Sequence, residues 1–351
     1  MTAVDARWLE SLEEEAERVL PPAVFRYVRQ GAREGVSAAE ATTAWRQHRF
    51  APHVLRDVST IDTATTVLGV PLRAPIAVAP TTLQRMVHPD GELAMARATA
   101  SAGSLMVVSS NAGSRFEDIA ATGVRWWLQA YLPQDRALAR DLLVSAVGAG
   151  AEAVVLTLDT PVVGTKYDDG PAVWDDVPDN ALRVNFPPGY DEARGSAKAT
   201  DLGPADIAWL RETAGVPVVV KGVLRPDDAR RCEQAGAAAV WVSNHGGRQL
   251  DRAWSTAAAL PGVVSALDRN TEVYVDGGVR SGLDVLTAVA LGARCAFLGR
   301  LPLWALVGGS PGVGEMHRRL LLELEDAMRL AGTPTLEDTR QVVVSGVRGG
   351  V

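Results

Sequence analysis

From about residue 74 the chain alternates short, almost wholly apolar stretches with longer segments whose apolar residues recur at helical spacing. The apolar stretches are PIAVAP (75–80), LMVVSS (105–110), RWWLQAY (125–131), AVVLTLD (153–159), VPVVVKG (216–222), AAVWVSN (238–244), EVYVDGG (272–278) and CAFLGR (295–300). Near-continuous apolarity over so few residues is what parallel strands need when helices cover both faces of the sheet. Between them lie segments such as DGELAMARATASAG, DRALARDLLVSAVGAG, PDDARRCEQAG and SGLDVLTAVALGA, each closing on the glycine expected after a helix C-terminus. Eight successive strand–helix units predict an α/β fold that closes into a (β/α)8 TIM barrel over 74–307, a span near the usual length of that fold. A doubly wound open sheet is the second choice.

The flanks read differently. Residues 1–73 form an N-terminal helical extension packing on the barrel; Trp8, Leu9, Leu12, Ala16, Val19 and Leu20 make its first apolar face, stopped by Pro21-Pro22. The remainder, 74–351, holds the barrel and a C-terminal helix over 312–332, with Leu320, Leu321, Leu324 and Met328 on its buried side. The segment 160–203 has neither helical nor strand period, and so long a connection in a compact domain acts as a lid or stays irregular. It carries eight acidic residues (Asp168, Asp169, Asp175, Asp176, Asp179, Asp191, Glu192, Asp201) against Lys166, Arg183, Arg194 and Lys198, which disfavours docking on an anionic membrane.

Composition narrows the function classes. A net charge of −7 with no long Lys/Arg run argues against nucleic acid or anionic lipid as partner, so an anion must be bound locally and the expected partner is a small-molecule substrate. No uncharged apolar run reaches the roughly 18 residues of a membrane helix, and the acidic opening MTAVDARWLESLEEEAE has no apolar signal core, which together predict a cytoplasmic protein. Cys232 and Cys295 lie in apolar settings outside any ligand spacing, and the five histidines are scattered, so buried thiols and no metal site are expected.

In a (β/α)8 barrel the chemistry sits at the C-terminal strand ends. Those ends carry Thr81 and Thr82, Ser109, Gln129 and Tyr131, Thr157 and Asp159, Lys221, Ser243 with His245 and Arg248, Asp276 with Arg280, and Gly299 with Arg300. Taken singly each could cap a helix; together they converge on one mouth. DGGVRSG and the final GR combine glycines that permit close backbone approach with Arg280 and Arg300, which can fork onto a phosphate. Lys221 ends an otherwise apolar strand, where it serves either as a desolvated amine for a Schiff base or as a cation stabilising charge on a bound electron-accepting ring. His245 in SNHGGRQLD is a candidate base beside the fixed cation Arg248, and Asp159 is the best-placed carboxylate to orient its imidazole.

With these residues assembled, the chain resembles the FMN-dependent 2-hydroxy acid oxidase and dehydrogenase family, which includes glycolate oxidase, lactate oxidase and mandelate dehydrogenase. The likeness covers almost the whole chain through PIAVAPTTLQRMVHPDGE, VVSS, LQAY, LTLDTP, VVVKGV, SNHGGRQLD, VYVDGGVRSG and FLGR, in that order. The resemblance implies FMN as cofactor, with its phosphate at Arg280, Gly299 and Arg300 near Gly278, its ring edge near Ser109, Gln129, Thr157 and Lys221, and the backbone of Ala79, Pro80 and Thr81 against the central ring nitrogen. Ser243 and Asp276 complete the implied cofactor-binding set. It implies His245 as base, Asp159 as its partner, Tyr131 as a hydroxyl at the substrate oxygen, and Lys221 in the charge-stabilising role. Arg248 and Tyr27 match carboxylate binders, and the implied assembly is a homo-oligomer, a tetramer or larger. One departure stands out: TPVVGTKYDD places Thr165 and Lys166 where relatives carry an arginine pair, and Lys cannot reproduce an arginine's planar fork. The implied reaction is oxidation of a 2-hydroxy acid to the 2-oxo acid, with mandelate-like substrates favoured and reduced flavin reoxidised by oxygen or another acceptor. The alternatives are a flavin oxidase for a larger substrate without a free carboxylate, and a flavin-binding barrel without turnover.

Overall fold

In the computed structural model, which describes residues 7–167, 172–178 and 181–344, all eight apolar stretches are strands. They are β1 (Ile76–Val78), β2 (Leu105–Ser109), β3 (Arg125–Ala130), β4 (Val154–Thr157), β5 (Val218–Val223), β6 (Ala239–Val242), β7 (Glu272–Val275) and β8 (Cys295–Leu298). Each pairs in parallel with the next, and β8 pairs with β1 through Ala296↔Ile76 to Leu298↔Val78. The sheet is therefore a closed barrel, and the open doubly wound alternative is excluded.

Strand period explains how the barrel builds its mouth. Ala77, Val107, Trp127, Val155, Val219, Trp241, Tyr274 and Phe297 fill the interior, all buried in one cluster. Side chains two positions on along a strand share its face, so the next inward layer is Ala79, Ser109, Gln129, Thr157, Lys221, Ser243, Asp276 and Gly299. Apolar packing ends there and polar chemistry begins.

The flanking segments close the two ends. The helices are α1 (Trp8–Val19), α2 (Pro22–Arg29), α3 (Val36–Trp45) and the long C-terminal α4 (Gly309–Ala331). Leu9, Leu12, Ala16 and Leu20 are buried as expected, but Val19 is 60% exposed. The helix ends at Val19, and the extended Leu20 turns inward in its place. Phe25 of α2 packs on Trp304, in the helix after β8, with ring centroids 5.2 Å apart, which brings the C-terminus of α2 over the mouth. A hairpin that the sequence pattern does not announce, Thr65–Val67 with Val70–Leu72, plugs the opposite end: Val67, Val70 and Leu72 join the interior cluster, and Leu68 N–H donates to the Glu272 carboxylate. The C-terminal helix starts three residues earlier than its period suggests and ends on Gly332 at φ 69°; Leu320, Leu324 and Met328 are buried and Leu321 half-buried.

Between 160 and 203 the regular structure among the described residues is one 3-10 turn, Val173–Asp176. Of its predicted charges, Asp168, Asp169 and Asp179 lie outside the described residues. Its end is held firmly, since Gln134 N–H donates to Ala197 O at 2.8 Å and Ala199 N–H to Leu132 O at 2.9 Å around the antiparallel bridge Pro133↔Lys198. Both cysteines are free and buried, and no described helix is long and apolar enough to cross a membrane.

Candidate active site

The mouth opens into a chamber of about 510 Å³. Every residue expected there from the sequence lines it except Asp159 and Ser243, which sit directly behind lining residues. Register makes a polar row across the top layer: Ser109 is opposite Gln129 and Thr157 opposite Lys221. Ser109 Oγ lies 3.3 Å from Gln129 Oε1, whose amide donates to Thr157 Oγ1 at 3.2 Å. Lys221 Nζ lies 2.6 Å from Ser243 Oγ and 2.9 Å from Asp276 Oδ2, and Ser243 Oγ donates to Asp276 Oδ1 at 2.7 Å. An amine held in an ion pair with Asp276 and hydrogen-bonded to Ser243 fits the charge-stabilising role better than the Schiff base. Among Ala79, Pro80 and Thr81, the Ala79 N–H is committed to Leu298 O and Pro80 has none. Thr81 lines the chamber beside them.

His245 lies at φ 57°, in the left-handed region that side chains seldom enter away from functional turns. Gly246 and Gly247 follow it at φ 64° and 74°, and Gly247 abuts the backbone of Ala38 so closely that a side chain there would overlap it. The turn aims Nδ1 at Asp159 Oδ1, 2.9 Å away, with Thr160 Oγ1 donating to the same oxygen at 3.2 Å. Burial opposes ionisation of Asp159 more than any other single influence. The His245 and Lys221 charges and the hydrogen bonds from His245 and Thr160 together outweigh it and hold the carboxyl below its usual range. Gly222 makes the approach possible. It sits in a bulge of β5 at φ 107°, and a Cβ there would lie 2.7 Å from the Asp159 Cβ.

One end of the chamber is cationic. Arg248 Nη1 donates to the carbonyls of Tyr27 (2.7 Å), Val28 (3.3 Å) and Gln30 (3.0 Å) at the end of α2, and its guanidinium lies 4.9 Å from the Tyr27 ring centre. One nitrogen is thus anchored on backbone, and the guanidinium, which also hydrogen-bonds the Tyr27 side chain, lines the chamber. Lys166 Nζ donates to the carbonyls of Gly164, at 2.8 Å, and Arg248. Burial first and the Arg248 charge second push Lys166 down to about 8. Tyr131 is raised well above its ordinary value, by burial first and the Asp159 charge second, so it remains a neutral hydroxyl.

At the other end Arg300 donates to Val28 O (3.1 Å), Gln30 O (3.3 Å) and Gly246 O (2.8 Å), and Arg280 Nη1 to Val279 O at 3.0 Å. Among the described residues neither has a carboxylate within ion-pair distance. Burial, followed by repulsion from Arg280 and Arg248, lowers Arg300 to about 9. Two half-buried, mutually repelling guanidiniums beside Gly299, above which there is open space, call for a dianion.

The sequence matches the family described as FMN-dependent dehydrogenase over residues 16–345. The chain belongs to that family. It is 38% identical to an L-lactate oxidase from Nostoc sp. (93% of this chain, 94% of the relative) and 38% identical to human 2-hydroxyacid oxidase 1 (91% of each). It is 40% identical to glycolate oxidase 3 of Arabidopsis thaliana over 93% of this chain and 92% of the relative. A mandelate oxidase solved with (S)-4-hydroxymandelic acid superposes with a TM-score of 0.89 at 36% identity, covering 97% of this chain and 99% of the other.

FMN is the family's cofactor, and the uncompensated Arg280–Arg300 pair with the open space above Gly299 fits its phosphate. We expect Arg300→Ala to weaken FMN retention about 10- to 100-fold, the loss of one charge-assisted contact. Fluorescence of FMN released on dilution measures it, and unchanged retention would refute the assignment.

The structure also brings in residues that the sequence reading passed over as site groups. Trp174 stands at the chamber edge, edge-on to Tyr27 at 5.4 Å, and Thr160 joins the Asp159–His245 pair. Lys198 lies with its ammonium 3.9 Å from the Tyr131 ring centre. Trp174 and Lys198 come from the connection that lacks any period, where no pattern marks a functional position.

Proposed function

We propose that this protein oxidises a 2-hydroxy acid to the 2-oxo acid, with His245 as base, Asp159 orienting it, and Arg248 and Tyr27 holding the substrate carboxylate. The observation that carries the reading is the Nδ1-to-Asp159 contact of 2.9 Å within one chamber with the anchored Arg248. Bound FMN supplies the two-electron acceptor. Ionised Asp159 only accepts hydrogen bonds, so Nδ1 carries a hydrogen and Nε2 keeps the lone pair that takes the substrate proton. Arg248 fixes the acid through its guanidinium, Tyr131 donates its hydroxyl to the substrate oxygen, and Lys221 would place positive charge beside the bound flavin. Val163, Leu182 and Trp174 add apolar lining that suits a side chain larger than methyl, in keeping with mandelate-like substrates. The same reading takes the enzyme to be a cytoplasmic homo-oligomer. The free buried cysteines support the compartment and family resemblance the assembly.

Anaerobic titration of the FMN-loaded enzyme with mandelate, lactate and glycolate, following loss of flavin absorbance, tests it; mandelate should bleach the flavin fastest. Failure of every 2-hydroxy acid to do so would sink the proposal. Lys166 adds a pH signature. Only its ammonium attracts the carboxylate, and that form declines as pH rises through about 8. Substrate dissociation constants should therefore climb above pH 8, and Lys166→Arg, charged throughout, should remove that climb.

A further inference from the structure

We infer that Lys198 forms a subsite for a second anionic group, so that among 2-hydroxy acids of equal chain length the one bearing a further carboxylate binds more tightly. This rests on the reading of the chamber as a 2-hydroxy acid site.

Lys198 is fixed in place. Its backbone is clamped to the segment after β3 by the Pro133 bridge and its flanking hydrogen bonds, and its ammonium stacks on the Tyr131 ring. Asp159, the carboxylate whose charge reaches it, is engaged by His245, and Asp201, three residues on, by Arg136 at 2.8 Å. Among the described residues no carboxylate lies within ion-pair distance of Lys198. Burial lowers its pKa, opposed by the Asp159 charge, whereas Lys166 responds to Arg248. Lys198 stacks on Tyr131 while Lys166 reaches the Gly164 and Arg248 carbonyls, so the two lysines serve different parts of the chamber, and a single substrate carboxylate at Arg248 and Lys166 leaves Lys198 unmatched.

Space is available beside it. An annex of about 140 Å³ shares Tyr131, Thr157, Thr160 and Lys198 with the main chamber and continues past Leu132 and Thr200. A half-buried cation with no carboxylate within ion-pair distance, lining two adjacent cavities, is a place for an anionic arm.

The test compares 2-hydroxyglutarate with 2-hydroxypentanoate, which share a five-carbon chain and differ in a terminal carboxylate or methyl. In anaerobic flavin reduction by the FMN-loaded enzyme, 2-hydroxyglutarate should bind at least about tenfold more tightly. Lys198→Met should collapse that ratio towards one, and Lys198→Arg should keep it. A ratio near one in the unmodified enzyme, or one untouched by Lys198→Met, would overturn the subsite. An equal shift for both acids, with a displaced pH profile, would assign Lys198 to the Asp159–His245 pair and equally overturn it. If neither these acids nor mandelate, lactate or glycolate reduces the flavin, the reading of the chamber fails as well; if they reduce it without discrimination, only the subsite does.

Discussion

Replacing His245 with Ala is expected to slow flavin reduction by about 10²- to 10⁴-fold, the range for loss of a general base, while FMN stays bound. Apart from Ser243, the proposed flavin contacts come from other strands, so retention and visible spectrum should hold while chemistry fails. Asp159 fixes the direction of the argument: held ionised, it keeps the hydrogen on Nδ1 and stabilises the imidazolium that forms when Nε2 takes a proton. Asp159→Asn should slow the same step by less, since the base remains but its tautomer is no longer imposed. Stopped-flow reduction under anaerobic conditions measures both variants. A near-normal rate in His245→Ala would remove the base assignment and leave Arg248 and Lys221 as a binding frame around a different proton acceptor.

The strand-end residues were legible in the sequence because a strand's period is two. Once Val219 and Trp241 are inward, Lys221 and Ser243 must be inward as well, at the layer where the apolar run stops. His245 and Arg248 were legible because the glycines around them mark a turn that only a special backbone makes. The support beneath the arginines was not. Arg248 and Arg300 rest on carbonyls of Val28 and Gln30, and a carbonyl belongs to every residue, so nothing in the sequence distinguishes those two. Gly222 was visible only as part of VVVKGV. Its place against Asp159 follows from a bulge, which shifts register without any signature beyond the glycine itself.

Lys221→Met is expected to destabilise the protein by about 3–5 kcal/mol, because it leaves the Asp276 carboxylate buried without its counter-charge. The two side chains are 5% and 9% exposed, 2.9 Å apart, and bridged by Ser243, so water cannot replace the lost partner without opening the top of the barrel. For a chain of this length that cost corresponds to a fall of roughly 5 °C in melting temperature. Adding Asp276→Leu removes the orphaned charge as well, and replacing both members of a buried pair by apolar side chains is close to neutral, so stability should largely return. Chemistry should not return with it. The ammonium stands in the row with Gln129 and Thr157 beside which the flavin edge is proposed to lie, and removal of one preorganised charge-stabilising group costs about 10²- to 10³-fold in rate. Thermal melts and anaerobic reduction of the two variants therefore separate structure from function: a double variant that recovers both would make Lys221 a structural ion-pair member alone, whereas recovery of stability with reduction still slow assigns its charge to the flavin.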